Sequence, residues 1–234
     1  MKSPPTRDRK ARFAQANDMI LGETTLLIAV LLILSGAAKG ITRRLRVNDY
    51  IASFFLLVIL LLSIRGNIKL AKGFTLSLGS VLSLIVGSIN LATNIKGGKA
   101  LPKVVFSTLA SSAIVFIYSL HFSENVTLDP RLLILLLSLL VGVWCALSSG
   151  SVLPCCLFSA LWGSFVGSTL FLVFFLKSGN IGGNYTFSLM WLAAISGLII
   201  RLLLDRLVAQ TKSPRSYVYY EADRMEEDQN EEKR

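Results

Sequence analysis

Residues 152–204 constrain this chain more than any other stretch. About 25 residues without a charge, ending Phe174-Phe175-Leu176, precede the glycine-rich break Gly179-Asn180-Ile181-Gly182-Gly183, and about 16 further uncharged residues run from Tyr185 up to Arg201. A helix rising about 1.5 Å per residue needs roughly 20 residues to cross about 30 Å of hydrocarbon. Both runs read as membrane-spanning helices, because only a helix or a closed barrel satisfies its backbone groups inside a bilayer. The rest of the chain repeats the theme: 53% of residues are hydrophobic and 16% charged, against about 25% charged in an average soluble domain. A water-soluble core has no room for so much apolar chain.

The net charge of +10 does not point to nucleic acid. Lys and Arg sit in the N-terminal arm, in the tail and between apolar runs, where they act as topology signals. The lipid bilayer is the partner this pattern implies. Cys145, Cys155 and Cys156 lie inside apolar segments without a CxxC or a His/Cys ligand spacing, so they read as structural thiols, with no metal and no cofactor.

In chain order, residues 1–18 form a basic arm with Pro4-Pro5 near its start, and residues 19–205 form the transmembrane helical domain. The first span is read as residues 19–38, uncleaved, with Glu23 near one end and the cluster Arg43-Arg44-Leu45-Arg46 following. Further spans are expected at 50–64, 74–92, 104–120, 132–147, 152–176 and 185–204, seven in all, with the second and fifth the shortest. The fold class is therefore an all-α polytopic bundle. The Lys and Arg distribution is nearly balanced between the two sides, and the basic last turn and long charged tail lean the C-terminus toward the cytoplasm. Residues 206–234 carry seven of the fourteen acidic residues, from Glu221 onward, and their low hydrophobicity predicts a disordered tail. Two sequons, at Asn125 and Asn184, would mark an external face in a glycosylating host.

Catalytic signatures are absent from the sequence: it holds no GxSxG, HExxH or phosphate-binding loop. Ion-coupled pumps keep ionisable groups at membrane depth, whereas the runs between 74 and 120 and between 132 and 200 hold none outside their loops. His121, the only histidine, falls at a span end and reads as an interfacial side chain. The informative residues are small. In the sixth span Gly163 and Gly167 stand at i and i+4 beside Ala160, Ser164 and Ser168, a thin strip that lets another backbone approach closely. Ser77, Gly79, Ser80, Ser83 and Gly87 thin the third span similarly, and Ala193, Ala194, Ser196 and Gly197 the seventh.

The run Ile181-Gly182-Gly183, followed by Thr186-Phe187-Ser188, resembles the signature of a prokaryotic family of multi-pass membrane proteins of unknown function, in which Ile-Gly-Gly precedes Thr-Phe-Asp. Val166-Gly167-Ser168-Thr169 resembles that family's Ile-Gly-Ala-Asp element, Asn67-Ile68-Lys69-Leu70 its Asn-Ile-Pro-Leu element, and Ser77-Leu78-Gly79-Ser80 its Asn-Val-Gly-Gly element. Thr169 and Ser188 replace the family's two acids. A hydroxyl neither binds hard cations tightly nor titrates near neutral pH, so any metal or hydrolytic role of those acids is unsupported in this chain. The reading that follows is a non-enzymatic structural or interaction component of a membrane assembly, with a membrane-protein partner or a second copy. Its alternative is a small-solute permease or channel component.

Reporter fusions placed after Arg215 and within residues 179–183 should report opposite sides of the membrane. Activity from the same side in both would remove the seventh span.

Overall fold

The computed structural model describes residues 21–231 apart from 72, 96–99, 126–128 and 151; the side chains of 65, 71, 122–125, 130 and 210–231 fall outside the description. The basic arm expected at 1–18 lies outside the described residues. Along the chain come α1 (Leu21–Leu34), α2 (Lys39–Arg44), α3 (Asp49–Arg65), β1 (Asn67–Ala71), β2 (Phe74–Ser77), α4 (Leu78–Asn94), α5 (Leu101–Asn125), α6 (Pro130–Ser148) and α7 (Leu153–Phe171). A π-helical turn (Leu172–Leu176), β3 (Gly179–Ile181) and α8 (Asn184–Glu231) complete it.

Four helical segments are long and apolar enough to cross a membrane: Leu101–His121, Arg131–Ser148, Leu153–Leu176 and Asn184–Ala209. Three more apolar helices are shorter, Leu21–Leu34, Asp49–Ile64 and Leu78–Asn94. The fifth expected span is thus one of the long four, and the short ones are the first three. The third begins four residues late, because Phe74-Thr75-Leu76-Ser77 alternates apolar and polar side chains and is a strand.

Local chemistry sets several of the boundaries. The Asn48 side chain accepts from Tyr50 N at 3.0 Å and starts α3; the Asp129 side chain accepts from Arg131 N at 2.9 Å ahead of α6, which has a proline in its first turn. β1 and β2 form an antiparallel hairpin turning at Gly73, whose φ of +91° suits a residue without Cβ. β3 joins β2 in parallel, with Phe74 opposite Gly179 and Leu76 opposite Ile181. This three-stranded sheet departs from the expected all-helical chain with a loop at 179–183. The strands are only three to five residues long, too short for periodicity to separate them from loop. The backbone of α8 runs on to Glu231, beyond the start of the expected tail at 206.

The core lies around α7 and α8. Leu161 on α7 and Leu189 and Met190 on α8 are buried with Val115 of α5, Leu137 and Val141 of α6, and Leu84 of α4. The thin face of α7 turns inward, against α5. A Cβ added at Gly163 would collide with the Ser111 side chain, and one at Gly167 with the Ser112 carbonyl. The pairing of Ser159 with Thr108, Gly163 with Ser111 and Gly167 with Val115 advances in the same direction on both helices, so α5 and α7 run parallel.

Gly163→Leu and Gly167→Leu should each lower the melting temperature in detergent, since overpacking costs about 1–3 kcal/mol and here the obstruction includes backbone. Leu170→Ala, exposed on the same helix, should leave it nearly unchanged; wild-type melting of both glycine variants would contradict the α5–α7 contact.

Candidate functional site

The segments that carry the family resemblance come together at one end of the bundle. Gly182 (φ +71°) turns the chain from β3 into α8, and a Cβ there would lie 2.6 Å from Ser80 Cβ. Ser80 Oγ donates to the Gly182 carbonyl at 2.5 Å, and Asn180 Nδ2 donates to Asn67 Oδ1 at 3.2 Å. Phe165, one turn before Thr169 on α7, places Cε2 3.2 Å from that same Cβ position. Residues 67–70, 77–80 and 180–183 therefore meet, with α7 alongside. Ile181 ends β3 half-buried and Gly183 is buried, while Thr186 and Phe187 are core residues of the first turns of α8, each 1% exposed. Phe187 N donates to Gly183 O at 2.8 Å as the helix begins.

Ser188 and Thr169, the two hydroxyl positions singled out by the resemblance, differ in kind. Ser188, fully buried, accepts from Gly22 N at 2.9 Å, and so satisfies a backbone donor in the first turn of α1 from a helix 166 residues away. Thr169 Oγ1 is buried with no hydrogen-bond partner among the described residues.

Next to Gly22 is Glu23, buried at 7% exposure, with Oε2 lacking a hydrogen-bond partner among the described residues. It is the residue that sequence reasoning undervalued. It is the only acid between 19 and 48, and an acid inside an apolar run is itself a signal. Ser80 was visible only as a small residue of the third span, and Gly22 not at all.

Around Gly22 and Gly182 the buried and half-buried described groups are hydroxyls, amides and the Glu23 carboxyl, with Lys69 and Lys177 exposed at the same end. Ser119 Oγ and Tyr185 OH lie 3.2 Å apart, and no three His, Cys, Asp or Glu residues stand together among the described residues. His121 is exposed at the far end of a span. The three cysteines are free and buried, with Cys145 Sγ 3.2 Å from Ser111 Oγ between α6 and α5. On α7 the strip Ala160, Ser164 and Ser168 is buried, and Ser168 Oγ bonds the Ser164 carbonyl at 2.7 Å within its own helix. The arrangement is chemically suited to holding helix ends together. No protein-family model, no curated protein and no solved structure matches the chain.

Ser188→Ala should lower the melting temperature, because it removes the described acceptor of the buried Gly22 N–H, and losing a partner of that kind costs about 1–3 kcal/mol. Thr169→Ala removes a hydroxyl that has no partner and should be neutral or slightly stabilising. Equal losses in the two variants, measured side by side by thermal unfolding in detergent, would contradict this distinction.

Proposed function

We propose that the chain is a seven-span, multi-pass protein of a prokaryotic cell membrane, with its C-terminus in the cytoplasm, acting as a non-enzymatic component of a membrane assembly. The observation that carries the topology is the sorting of its connections. The hairpin 67–77, the break at 179–183 and the start of α1 gather at one end, through the β2–β3 ladder, the Ser80–Gly182 bond and the Gly22–Ser188 bond. The corner at 44–46, the end of α4, the start of α7 and residues 201–209 of α8 gather around one cavity at the other. Seven alternating crossings produce this sorting, with 39–46 and the C-terminus on one side. Both stretches are basic, in line with the positive-inside rule.

Convergence of the four signature-like elements around Gly182 supports kinship with the prokaryotic family they resemble, with Thr169 and Ser188 in place of its acids. The non-enzymatic reading is supported by hydroxyls at helix contacts that bond one another: Ser107 to Ser148 at 2.6 Å and Thr108 to Ser159 at 3.3 Å. Paired in this way they favour packing over a permeation path.

The assembly role draws on the shorter helices. α3 and α4 have 17 residues each, a rise of roughly 26 Å against about 30 Å of hydrocarbon, and α1 as described has 14. Short spans are accommodated by thinning the bilayer or by association with another protein. α1 and α3 pack on each other and leave Ile28, Leu31, Phe54 and Leu61 exposed. The native cysteines are buried, so introduced thiols can be read cleanly. Leu31→Cys and Leu61→Cys should cross-link in native membranes to a partner or a second copy, while Ile117→Cys, exposed on the long helix α5, should not. Monomeric migration of both flank variants, or equal capture at Ile117, would overturn the assembly reading.

A further inference from the structure

At the end of the bundle opposite the sheet lies a cavity of about 580 Å³ lined by Arg44, Arg46, Asn94, Pro154, Arg201 and Asp205 among others. Three arginines and one carboxylate, Asp205, line it together. Asp205 accepts from Arg44 Nη1 at 2.6 Å and from Arg201 Nη2 at 2.7 Å, and Arg201 Nη1 donates to the Ala146 carbonyl at 3.3 Å. That leaves Arg201 Nε buried without a hydrogen-bond partner among the described residues.

Arg46 is the informative member. Val47 N donates to Thr42 O at 3.0 Å and Arg46 N to Arg43 O at 3.2 Å, the paired bonds that close a helix through a left-handed residue. Glycine normally fills that position. Here it is arginine, at φ 54°. The corner cannot relax easily, because the Leu45 carbonyl accepts from Asn90 Nδ2 at 3.1 Å and from Asn94 Nδ2 at 3.3 Å on α4. A non-glycine residue held in this conformation marks a place where the side chain is worth more than local stability. The start of α7 adds to the field: Val152, Leu153 and Pro154 line the cavity, and the cap residue Val152 offers no side-chain bond to the first turn. Pro154 has no N–H, and Cys155 N and Cys156 N donate to the Val152 carbonyl at 3.1 and 3.4 Å, so this 19-residue helix adds the positive end of its dipole rather than a set of free donors.

We infer that this cavity binds a phosphate group, held by Arg46 and Arg201 at the N-terminal end of α7. Guanidinium forks match phosphate oxygens bidentately, and Asp205, already held by Arg44 and Arg201, fixes one of them rather than neutralising the site. The volume admits a phosphate with part of the group esterified to it, and Val208 at the rim, with Leu203 and Leu207 exposed on the same helix, offers an apolar flank to acyl chains. The phosphate is therefore either that of an anionic lipid headgroup or a free phosphate ion. This site does not depend on the assembly role proposed above.

The test is thermal unfolding of the full chain in detergent, titrated separately with dihexanoyl phosphatidic acid, dihexanoyl phosphatidylcholine and inorganic phosphate. Phosphatidic acid should raise the melting temperature in a saturable way and phosphatidylcholine should not, since a ligand that binds only the folded state stabilises it. A shift with phosphatidic acid alone assigns a lipid headgroup; an equal shift with inorganic phosphate assigns the free ion; either supports the site. Arg46→Gly should melt at or above the wild type without ligand, yet bind about tenfold more weakly. Arg46→Asn, which also tolerates the left-handed conformation, should behave the same way. No shift with either phosphate source, an equal shift with phosphatidylcholine, or full binding by both Arg46 variants would overturn the inference.

Discussion

The close approach of α5 and α7 is the contact on which the rest of the bundle depends. Apolar side chains gain nothing by leaving lipid for one another, so helices in a membrane hold together through dispersion and interhelical hydrogen bonds, both of which need short separations. Gly163 and Gly167 supply that separation on α7, and Ser111 and Ser112 receive it on α5. The consequence is topological. α5 and α7 are parallel, so α6 must return between them, and α6 makes its own close contact with α8, where Gly142 faces Ser196 and Gly197. The most extensive contacts therefore join alternate helices rather than consecutive ones. Two interleaved parallel pairs form the centre, and the three shorter helices pack around it.

Membrane class and helix positions were legible because apolar run length is a bulk property that needs no knowledge of neighbours. The small-residue strip on α7 was legible for a similar reason: glycine and serine at four-residue spacing describe one face of a helix. Its direction was not, since nothing in residues 160–168 says whether that face meets lipid, a partner or α5. The sheet was illegible for a different reason. β3 has three residues, and two of its neighbours in the break are glycines whose role, admitting Ser80 and turning the chain, exists only once α4 is in place. Ser188 shows the same limit. The family resemblance reads it as a substitute for an acid, whereas its place in the fold makes it the acceptor for a backbone donor on another helix.

The two ends of the bundle are chemically unlike. One is closed by a sheet, by Ser80 against Gly182 and by a run of core residues from Tyr185 onward, with Glu23 buried beside it. The other is open and charged, with the Asp205 ion pairs lying beside buried Ala146, Leu153 and Cys156. A carboxylate between two arginines there is only partly shielded from water, with the Arg44 side chain 46% exposed and that of Asp205 19% exposed, so its contribution to stability is small and its main effect is orientation.

That orientation matters because of what the ion pair joins. Gly22 at the start of α1 bonds Ser188 near the start of α8, and Arg44 at the end of α2 bonds Asp205 on α8. The first apolar segment is thereby tied to the last at both ends, across sequence separations of 166 and 161 residues. Closing so long a loop costs little more than closing one half its length, because the entropy rises only with the logarithm of loop size. The bond at the sheet end is buried and short, so it fixes the depth of α1 against α8. The pair at the open end lies beside the arginine cavity and is exposed to solvent. The phosphate site inferred at Arg46 and Arg201 lies beside this pair, so the residue that orients Arg201 there, Asp205, is also the one that ties the first helix against the last.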